Sequence, residues 1–225
     1  MIRVTQLSDP HFSAAGAPTH GGHGYDAHAS LDAALEAMAT LARPDLVILT
    51  GDVADRGQPS EYAMASRQLG RLPAPVHVLA GNHDYVVPMQ AVLPSAGIAL
   101  SRTLRCDNWL FLLVDSNGAG RVRDGTGRQV DTPERYAARP RLDPAEEAWI
   151  DDLVGCTDAD HVFLWMHHAP GMPGVFADPD HDRRLAAVLE RHPTIRGVAG
   201  GHVHTELVTQ LAGRPIFVCP SLTVN

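Results

Sequence analysis

Short apolar runs, each followed at once by a cluster of polar residues, dominate the pattern of this chain. Five such runs predict buried strands, because runs of that length bounded by turn residues are typical of strands covered on both faces. They occupy residues 2–7, 46–50, 76–80, 162–166 and, less regularly, 197–199. The clusters that follow them are Asp9-Pro10-His11, Gly51-Asp52, Gly81-Asn82-His83-Asp84, His167-His168 and Gly201-His202-Val203-His204. Since open α/β sheets gather their chemistry at the carboxyl ends of strands, we expect these clusters to converge.

Helical spacing of apolar residues predicts helices between the strands. Ser30 is the expected N-cap of one helix, and Ser60 is the expected N-cap of a second that extends to about residue 72. Asp143-Pro144 is expected to start a further helix, with proline in its first position. Two more helices are predicted near residues 88–93 and 181–191.

The remaining elements are mostly strands. They are predicted near residues 98–104, 109–114, 206–210 and 216–219, whereas residues 117–141 form a long irregular segment. The order of elements is βαβα at first and increasingly β later. It predicts an α/β fold in which two sheets pack face to face between helices.

The composition is that of a soluble globular protein. The chain has 225 residues, of which 44% are hydrophobic and 20% are charged, so it can bury a sizeable core. No linker-like segment divides it, and we expect a single domain over residues 1–225. No apolar run reaches the roughly 18 residues of a membrane span, and the first strand starts too close to Met1 for a signal peptide. Three widely spaced cysteines favour reduced thiols and a cytoplasmic location.

The charged residues restrict the partners of the chain. The formal net charge is −8, which argues against binding to a nucleic-acid polymer, since that affinity comes from clustered lysine and arginine. The sequence contains no lysine, and all 18 basic residues are arginine. This excludes Schiff-base chemistry, a pyridoxal phosphate anchor and a P-loop. Arg121, Arg123 and Arg128 could meet an anionic substrate, although a solvated loop is the favoured interpretation.

The polar clusters are rich in metal ligands. Imidazole, carboxylate and amide oxygen suit Mn, Fe or Zn, and no cysteine lies in any cluster. Asp9 and His11 are two residues apart, which on an extended segment directs both side chains to one side, and His202 and His204 repeat that spacing. Asp52 is a lone carboxylate that could bridge two cations. The set predicts a two-metal site whose ions lie about 3.5–4 Å apart and activate a bridging water.

Each cluster also has a purely structural interpretation. Asp9-x-His11 alone could be a turn with a capping aspartate, Gly51-Asp52 could be a simple turn, and paired histidines could be the polar end of a strand. Gly81-Asn82-His83-Asp84 is far more specific, and Gly-His-x-His is nearly as specific. All five clusters in this order, each after a predicted strand, favour a functional site.

The order Asp-x-His, Gly-Asp, Gly-Asn-His-Asp, His-x-x-Pro and Gly-His-x-His resembles that of the calcineurin-like metallophosphoesterases. The resemblance extends from residue 3 to about residue 221. It is closest to the class III cyclic-nucleotide phosphodiesterases and the related glycerophosphodiesterases. The supporting features are His167-His168-x-Pro170, the run Gly-Asp-Val-Ala-Asp-Arg-Gly over residues 51–57 before Glu61-Tyr62, and Pro220-Ser221. It implies a four-layer α/β/β/α sandwich and a metal-dependent hydrolase of phosphoric diesters.

The resemblance also implies a set of ligands for two metal ions, which would be iron, manganese or zinc. One ion would be held by Asp9, His11, Asp52 and His204. The other would be held by Asp52, Asn82, His167 and His202, so that Asp52 bridges. His168 is expected to support a ligand or to pack, because the family places the ligand first in its His-x-x-Pro element.

The expected mechanism is in-line attack on phosphorus by metal-bound hydroxide, with the cations neutralising the charge that develops. His83 is the expected proton donor to the leaving group. Since nearby cations disfavour a protonated imidazole, it needs a carboxylate partner, and by resemblance to the family that partner is Asp55. Asp84 is expected to fix the turn by accepting hydrogen bonds from backbone amides. Residues expected to contact the substrate are Asn82, His83 and Arg56.

The expected substrate is a small phosphodiester, with 3′,5′-cyclic AMP as the first choice. A glycerophosphodiester or a promiscuous diesterase activity stays open, because the discriminating residues lie in loops at 13–26 and 117–141. The run over residues 51–57 also resembles the phosphoprotein phosphatases, in which the arginine contacts phosphate, so a phosphomonoesterase is the nearest rival. An inactive scaffold would typically have lost ligands, and here every expected position is filled. A homodimer stays open, whereas a nuclease and a membrane partner are not expected.

Overall fold

The computed structural model describes residues 1–13, 26–118, 121–123, 129–131, 142–172 and 174–223. Its smaller sheet consists of three parallel strands, β1 (Val4–Leu7), β2 (Leu46–Thr50) and β3 (Val76–Leu79), with β2 in the middle. Every residue of β2 is buried. The reason is that a central parallel strand is covered on both faces, which also explains its unbroken apolar sequence.

Six strands form the larger sheet. In chain order they are β4 (Thr103–Cys106), β5 (Trp109–Leu113), β8 (His161–His168), β9 (Ile195–Gly201), β10 (Leu207–Leu211) and β11 (Arg214–Val218). The strands β5, β8, β9 and β11 are parallel neighbours at the centre, and β4 and β10 are antiparallel edge strands. A separate hairpin is formed by β6 (Arg121–Arg123) and β7 (Gln129–Asp131).

Five α-helices occur in the described part of the chain, namely α1 (Ala27–Ala39), α2 (Pro59–Leu69), α3 (Val86–Val92), α4 (Pro144–Cys156) and α5 (Pro179–Arg191). The first three share an apolar core with the smaller sheet, and the last two share a second core with the larger sheet. A third core lies between the sheets and contains Leu46, Ile48, Leu79, Phe111, Leu113, Trp165 and Ala199. The predicted α/β/β/α sandwich is confirmed.

Two helices start earlier than the sequence indicates. The N-cap of α1 is Asp26 rather than Ser30, because the Asp26 carboxylate accepts two backbone amides of the first turn. Helix α2 starts at Pro59 rather than with Ser60 as its cap, since proline is favoured in the first turn. The predicted start at Asp143-Pro144 is confirmed, with the Asp143 side chain accepting two amides.

The strand predicted near residues 98–104 is wrong over its first half. Ala99 forms an isolated bridge with His77 there, and the regular strand begins only at Thr103. The segment 117–141, predicted to be irregular, contains the short strands β6 and β7, and most of it lies outside the described residues, as does most of the loop at 13–26. Among the described residues, no helix has the length and apolar character needed to span a bilayer. The expectation of a single domain stays a prediction.

Candidate metal centre

The five polar clusters meet where the strands of both sheets end. The smaller sheet contributes the residues after β1, β2 and β3, and the larger sheet contributes the end of β8 and the residues after β9. Most of these side chains are buried, and only the two histidines after β9 are partly exposed. The residues brought together are Asp9, His11, Asp52, Asn82, His83, His167, His202 and His204.

One group of potential ligands lies after β1 and β9. One ligand atom each from Asp9, His11 and His204 lies within 4.8 Å of the others. The Nε2 atoms of His11 and His204 are 3.3 Å apart, and Asp9 Oδ1 lies 3.4 Å from His204 Nε2. These three side chains therefore face a common point, as the predicted set for one cation requires.

A second group lies after β2 and β3 and at the end of β8. His167 Nε2 lies 3.0 Å from Asn82 Oδ1 and 3.4 Å from Asp52 Oδ2. The ring centroid of His202 is 5.0 Å from that of His167. The other ring nitrogen of His167, Nδ1, lies 2.8 Å from the carbonyl oxygen of Thr50. Because a carbonyl only accepts, Nδ1 carries a proton and Nε2 is the atom available to a cation.

Asp52 lies between the two groups. Its Oδ2 is 3.7 Å from His11 Nε2 and 3.4 Å from His167 Nε2, so one oxygen faces an imidazole from each group. Its Oδ1 accepts the main-chain N–H of His83 at 2.8 Å. One carboxylate oxygen is thus fixed by the protein, and the other faces both groups.

The backbone at the site is strained in a way that the spacing of residues did not predict. Asp9, His11, Asp52, His202 and His204 all have positive φ, between 44° and 71°. The expectation that Asp9-x-His11 is extended is therefore wrong, because left-handed backbone, rather than strand alternation, directs the side chains. Such conformations cost free energy in residues other than glycine and concentrate at functional sites.

Glycine stands at two positions where the backbone packs directly against a candidate ligand carboxylate. A Cβ on Gly81 would collide with the Oδ1 of Asp52, and a Cβ on Gly201 would collide with Ser8 and the carboxylate of Asp9. The glycine that precedes the ligand in Gly-Asn-His-Asp and in Gly-His-x-His is therefore a requirement of packing around the carboxylates.

The charges of the site suit a cation. Burial lowers the pKa of His11 and that of His202 to about 4, so each imidazole is neutral at pH 7. Burial would raise the pKa of Asp52, but the neighbouring His167 reverses this effect and holds that pKa well below its usual value. Burial would likewise lower the pKa of His167, and the Asp52 carboxylate instead raises it to about 9. The ionised Asp52 and the neutral His11 and His202 can therefore bind a cation directly, whereas His167 must first lose a proton.

Two contacts fit a bound cation better than they fit the protein alone. Asp9 Oδ1 is buried and accepts no hydrogen bond from the described residues, an arrangement that is costly for a carboxylate. The Nε2 atoms of His11 and His204 face each other, and two facing ring nitrogens can share only one proton in a hydrogen bond. A cation would accept an electron pair from all three side chains. The carboxylate, imidazole and amide donors suit Mn, Fe or Zn.

His83 lies beside the candidate ligands. Its ring centroid is 4.7 Å from that of His11, and its Nδ1 lies 2.7 Å from the main-chain carbonyl oxygen of Asp55. The Asp55 carboxylate lies 3.7 Å from His11 Nδ1 and 3.7 Å from the Nε of Arg56, whose side chain is 60% exposed. The contact that orients His83 thus includes the main-chain carbonyl of Asp55, whereas the sequence predicted the Asp55 carboxylate as the partner.

Asp84 has the role in the turn that the sequence predicted. Its carboxylate accepts the backbone N–H of Val53, Ala54 and Gly81 and the hydroxyl of Tyr62. The loop after β2 and the loop after β3 are thereby joined through one fully buried side chain.

Sequence reasoning missed several residues that hold the candidate ligands in place. Ser221 Oγ donates to the carbonyl of Asp9 at 2.8 Å, and Asn117 Nδ2 donates to the carbonyl of Ala80 at 2.9 Å. Ser116 Oγ accepts the backbone N–H of His168 at 3.0 Å. Ser116 and Asn117 are single polar residues outside the clusters, so the sequence carries no indication of their role. Ser221 belongs to Pro220-Ser221, which supported the family resemblance and was the available signal for its role.

Comparison with known proteins agrees with this geometry. The family model described as calcineurin-like phosphoesterase matches residues 2–206. The 3′,5′-cyclic adenosine monophosphate phosphodiesterase CpdA of Escherichia coli K12 is 27% identical, with 100% of this chain and 77% of that protein covered. The glycerophosphodiester phosphodiesterase GpdQ of Enterobacter lignolyticus is 26% identical, with 97% of this chain and 76% of that protein covered.

A solved structure shows the same fold. A dimetal phosphatase from Danio rerio superposes with a TM-score of 0.71 and covers 98% of this chain, with 88% of its own chain matched. Its sequence identity is only 14%, so the likeness concerns the fold.

Proposed function

Because the chain belongs to the calcineurin-like phosphoesterase family, we propose that it is a two-metal phosphodiesterase that hydrolyses a small phosphodiester, with 3′,5′-cyclic AMP as the substrate. The observation that carries the proposal is the position of Asp52. One oxygen of its carboxylate faces an imidazole from each of two ligand groups, which is the arrangement a bridging ligand needs. Two adjacent cations suit phosphoryl transfer, where charge develops on several oxygens at once.

The proposed ligands follow the two groups. Asp9, His11, Asp52 and His204 would hold one cation, and Asp52, Asn82, His167 and His202 would hold the other. Iron, manganese or zinc fits these donors. When bound, the cations would activate water and neutralise the charge that develops on the phosphoryl oxygens.

His83 is the proposed proton donor to the leaving oxygen. Its Nδ1 faces the Asp55 carbonyl, which only accepts, so that nitrogen carries a proton. Its Nε2 then delivers a second proton when the ring is charged, and this proton goes to the departing alkoxide. Asn82 and His83 are adjacent and would both contact the substrate. Arg56 lies in the loop between β2 and α2, and its exposed side chain is the proposed contact for a substrate oxygen.

The choice of substrate rests on the relatives. CpdA is named for 3′,5′-cyclic AMP and GpdQ for glycerophosphodiesters, at nearly equal identity to this chain. A glycerophosphodiester is therefore the second candidate. A phosphomonoester is the third, and the exposed guanidinium of Arg56 favours it because a dianionic phosphate gains more from such a contact.

The cytoplasmic location is likewise a proposal. The cysteines Cys106, Cys156 and Cys219 are all free, which suits a reducing compartment. Fractionation of cells that express the protein would test it.

A substrate panel tests the activity. Purified protein is reconstituted with Mn²⁺ or Fe²⁺ and assayed against 3′,5′- and 2′,3′-cyclic nucleotides, glycerophosphodiesters and monoesters, with kcat/KM as the measure and metal-free protein as the control. We expect diesters to exceed monoesters by at least about tenfold, which corresponds to about 1.4 kcal/mol in the barrier. A higher kcat/KM for monoesters would show that the protein is a phosphomonoesterase and would contradict the proposal. No metal-dependent turnover of a bis-aryl phosphate would indicate a binding scaffold.

A further inference from the structure

The end of β8 is irregular at the position of two candidate site residues. Trp165 pairs with Ala199 of β9, but His168, three residues later, pairs with Gly201, only two residues later. This extra residue is a β-bulge, which redirects the side chains that follow it. As a result, His167 and His168 both contact His202, with ring centroids 5.0 and 4.4 Å away, although consecutive residues of a regular strand point to opposite faces.

His181 on helix α5 holds this distorted strand end from outside the site. It is a fully buried residue, 1% exposed, and belongs to none of the polar clusters of the sequence. Its Nδ1 accepts the backbone N–H of Leu142 at 3.1 Å, and its Nε2 lies 3.1 Å from the carbonyl oxygen of His168. Since Nδ1 is an acceptor and the carbonyl only accepts, the ring proton resides on Nε2 and is donated to His168. The tautomer of His181 is thus fixed by its two partners.

The same helix end makes a second attachment to the segment after His168. Asp182 Oδ1 accepts the backbone N–H of Gly171 at 2.8 Å. On the other side, Ser116 Oγ accepts the backbone N–H of His168 at 3.0 Å and lies 2.9 Å from its Nδ1. His168 is therefore bound through its N–H, its carbonyl and its ring, and His167 directly precedes it.

We propose that His181 is a positioning residue for the metal centre, acting through its Nε2–H on the carbonyl of His168 and so on the bulge that directs His167 toward Asn82 and Asp52. The inference rests on the proposed function in one respect, which is that His167 is a ligand. A hydrogen bond to a strand carbonyl next to a ligand acts as a support for that ligand, and loss of such a support typically weakens metal binding by about 10–100-fold.

Two variants separate the two hydrogen bonds of His181. The amide of glutamine can replace the Nε2–H, so His181→Gln keeps the donor to His168 and loses the acceptor for Leu142. The amide of asparagine reaches only the place of Nδ1, so His181→Asn keeps that acceptor and loses the donor. Both lose one buried hydrogen bond and part of the ring. His192→Asn is the control, because His192 lies at the far end of α5 and contacts Asp151 instead.

The readouts are the binding of Mn²⁺ by equilibrium dialysis, the thermal midpoint of the metal-free protein and turnover at increasing Mn²⁺. We expect His181→Asn to bind one of the two Mn²⁺ ions, the one that His167 would hold, about 10–100-fold less tightly and to recover turnover at high Mn²⁺. The Mn²⁺ affinity of His181→Gln should stay within about threefold of that of the unmodified protein, and His192→Asn should bind Mn²⁺ with unchanged affinity. Both His181 variants should have a lower thermal midpoint. Equal Mn²⁺ affinity in the asparagine and glutamine variants would overturn the proposal and leave His181 a structural residue.

The tautomer gives a test that needs no metal and no variant. A ¹⁵N–¹H correlation spectrum of the metal-free protein should show His181 protonated at Nε2 and not at Nδ1. Protonation at Nδ1 would overturn the proposal even if both variants failed to fold. If instead the unmodified protein bound fewer than two Mn²⁺ ions while His181 had the expected tautomer, the proposed two-metal function would fail and the hydrogen bond to His168 would stand.

Discussion

The bridging candidate Asp52 is held by the main chain of His83. Asp52 Oδ1 accepts the N–H of His83 at 2.8 Å, which leaves Oδ2 to face the two ligand groups. Because this N–H and the His83 imidazole belong to one residue, the position of the proposed bridge and that of the proposed proton donor depend on each other. Loss of the Asp52 carboxylate should therefore affect both cation binding and proton transfer, whereas a side-chain change at His83 leaves this N–H in place.

Replacing Asp52 by asparagine should remove the bridge. One of its side-chain atoms becomes an NH₂ group, which cannot coordinate a cation, so we expect two bound cations per chain to fall to one or none. Turnover of a bis-aryl phosphate should fall at least about a hundredfold, as when a group that stabilises the transition state is lost. Elemental analysis and kcat check this. Asp45→Asn, at an exposed carboxylate before β2, should retain both cations. Two retained cations in the Asp52 variant would contradict the bridge.

Replacing His83 by alanine should slow diesters with poor leaving groups most. An alkoxide needs a proton and a nitrophenolate does not, so we expect kcat for an alkyl diester to fall by about 10²–10⁴ and that for an aryl diester much less. An equal loss for both substrates would exclude His83 as the proton donor.

Asp55→Asn distinguishes the two ways in which Asp55 could support His83. The contact at 2.7 Å is made by the main-chain carbonyl of Asp55 and survives this substitution. We expect the loss of turnover with an alkyl diester to be about tenfold or less, against the larger loss for His83→Ala. An equal loss in the two variants would show that the Asp55 carboxylate is the required partner.

Asp84→Ala should mainly destabilise the fold. It would leave the amides of Val53, Ala54 and Gly81 buried without this acceptor, together with the Tyr62 hydroxyl. At about 1–3 kcal/mol for each of these four buried groups, we expect the free energy of unfolding to fall by at least about 4 kcal/mol. Urea denaturation measures it. Tyr62→Phe, which removes one bond to Asp84 and the acceptor of the Tyr85 N–H, should cost about 1–3 kcal/mol. Similar losses in both variants would contradict the role of Asp84 in joining the loops.

Cation binding should release a proton from His167. The pKa of this imidazole is raised to about 9 in the metal-free protein, and both of its nitrogens face oxygen acceptors, so at pH 7 it is charged. A cation at Nε2 must replace that proton, and affinity should therefore increase with pH up to about 9. Proton release on adding Mn²⁺ in weakly buffered solution at pH 7 tests this. Release should disappear at pH 10, and its absence at pH 7 would contradict the assignment of His167.

Glu146 on α4 should make stability depend on pH independently of the metals. Burial raises its pKa to about 7, with Arg102 opposing the shift. The folded state then binds the proton more tightly than the unfolded state, so the contribution of this group to stability decreases as pH rises from about 4.5 to 7. Glu146→Gln should make the unfolding free energy depend less on pH between about 4.5 and 7. Glu147→Gln on the same helix should leave that pH dependence unchanged. An unchanged slope in the Glu146 variant would contradict the shift.

The sequence identified the polar residues that the structure brings together, because each proposed ligand stands in a short run after a recognisable strand. The apolar run over residues 46–50 predicted a buried strand, and the polar cluster after each such run predicted a meeting point at the strand ends. Those features are local, since an apolar run and the turn residues that follow it are consecutive in the chain.

Only the tertiary structure decided how these residues are directed and supported. Asp9 and His11 have positive φ and donate their backbone N–H to the carbonyls of Gly51 and Asp52 in the loop after β2. The bulge before His168 depends on the pairing of β8 with β9. His181 contacts His168 from a different helix. Such contacts join residues distant in sequence, and no local pattern encodes them, because a single buried histidine or a single carbonyl has no signature until the fold brings its partner to it.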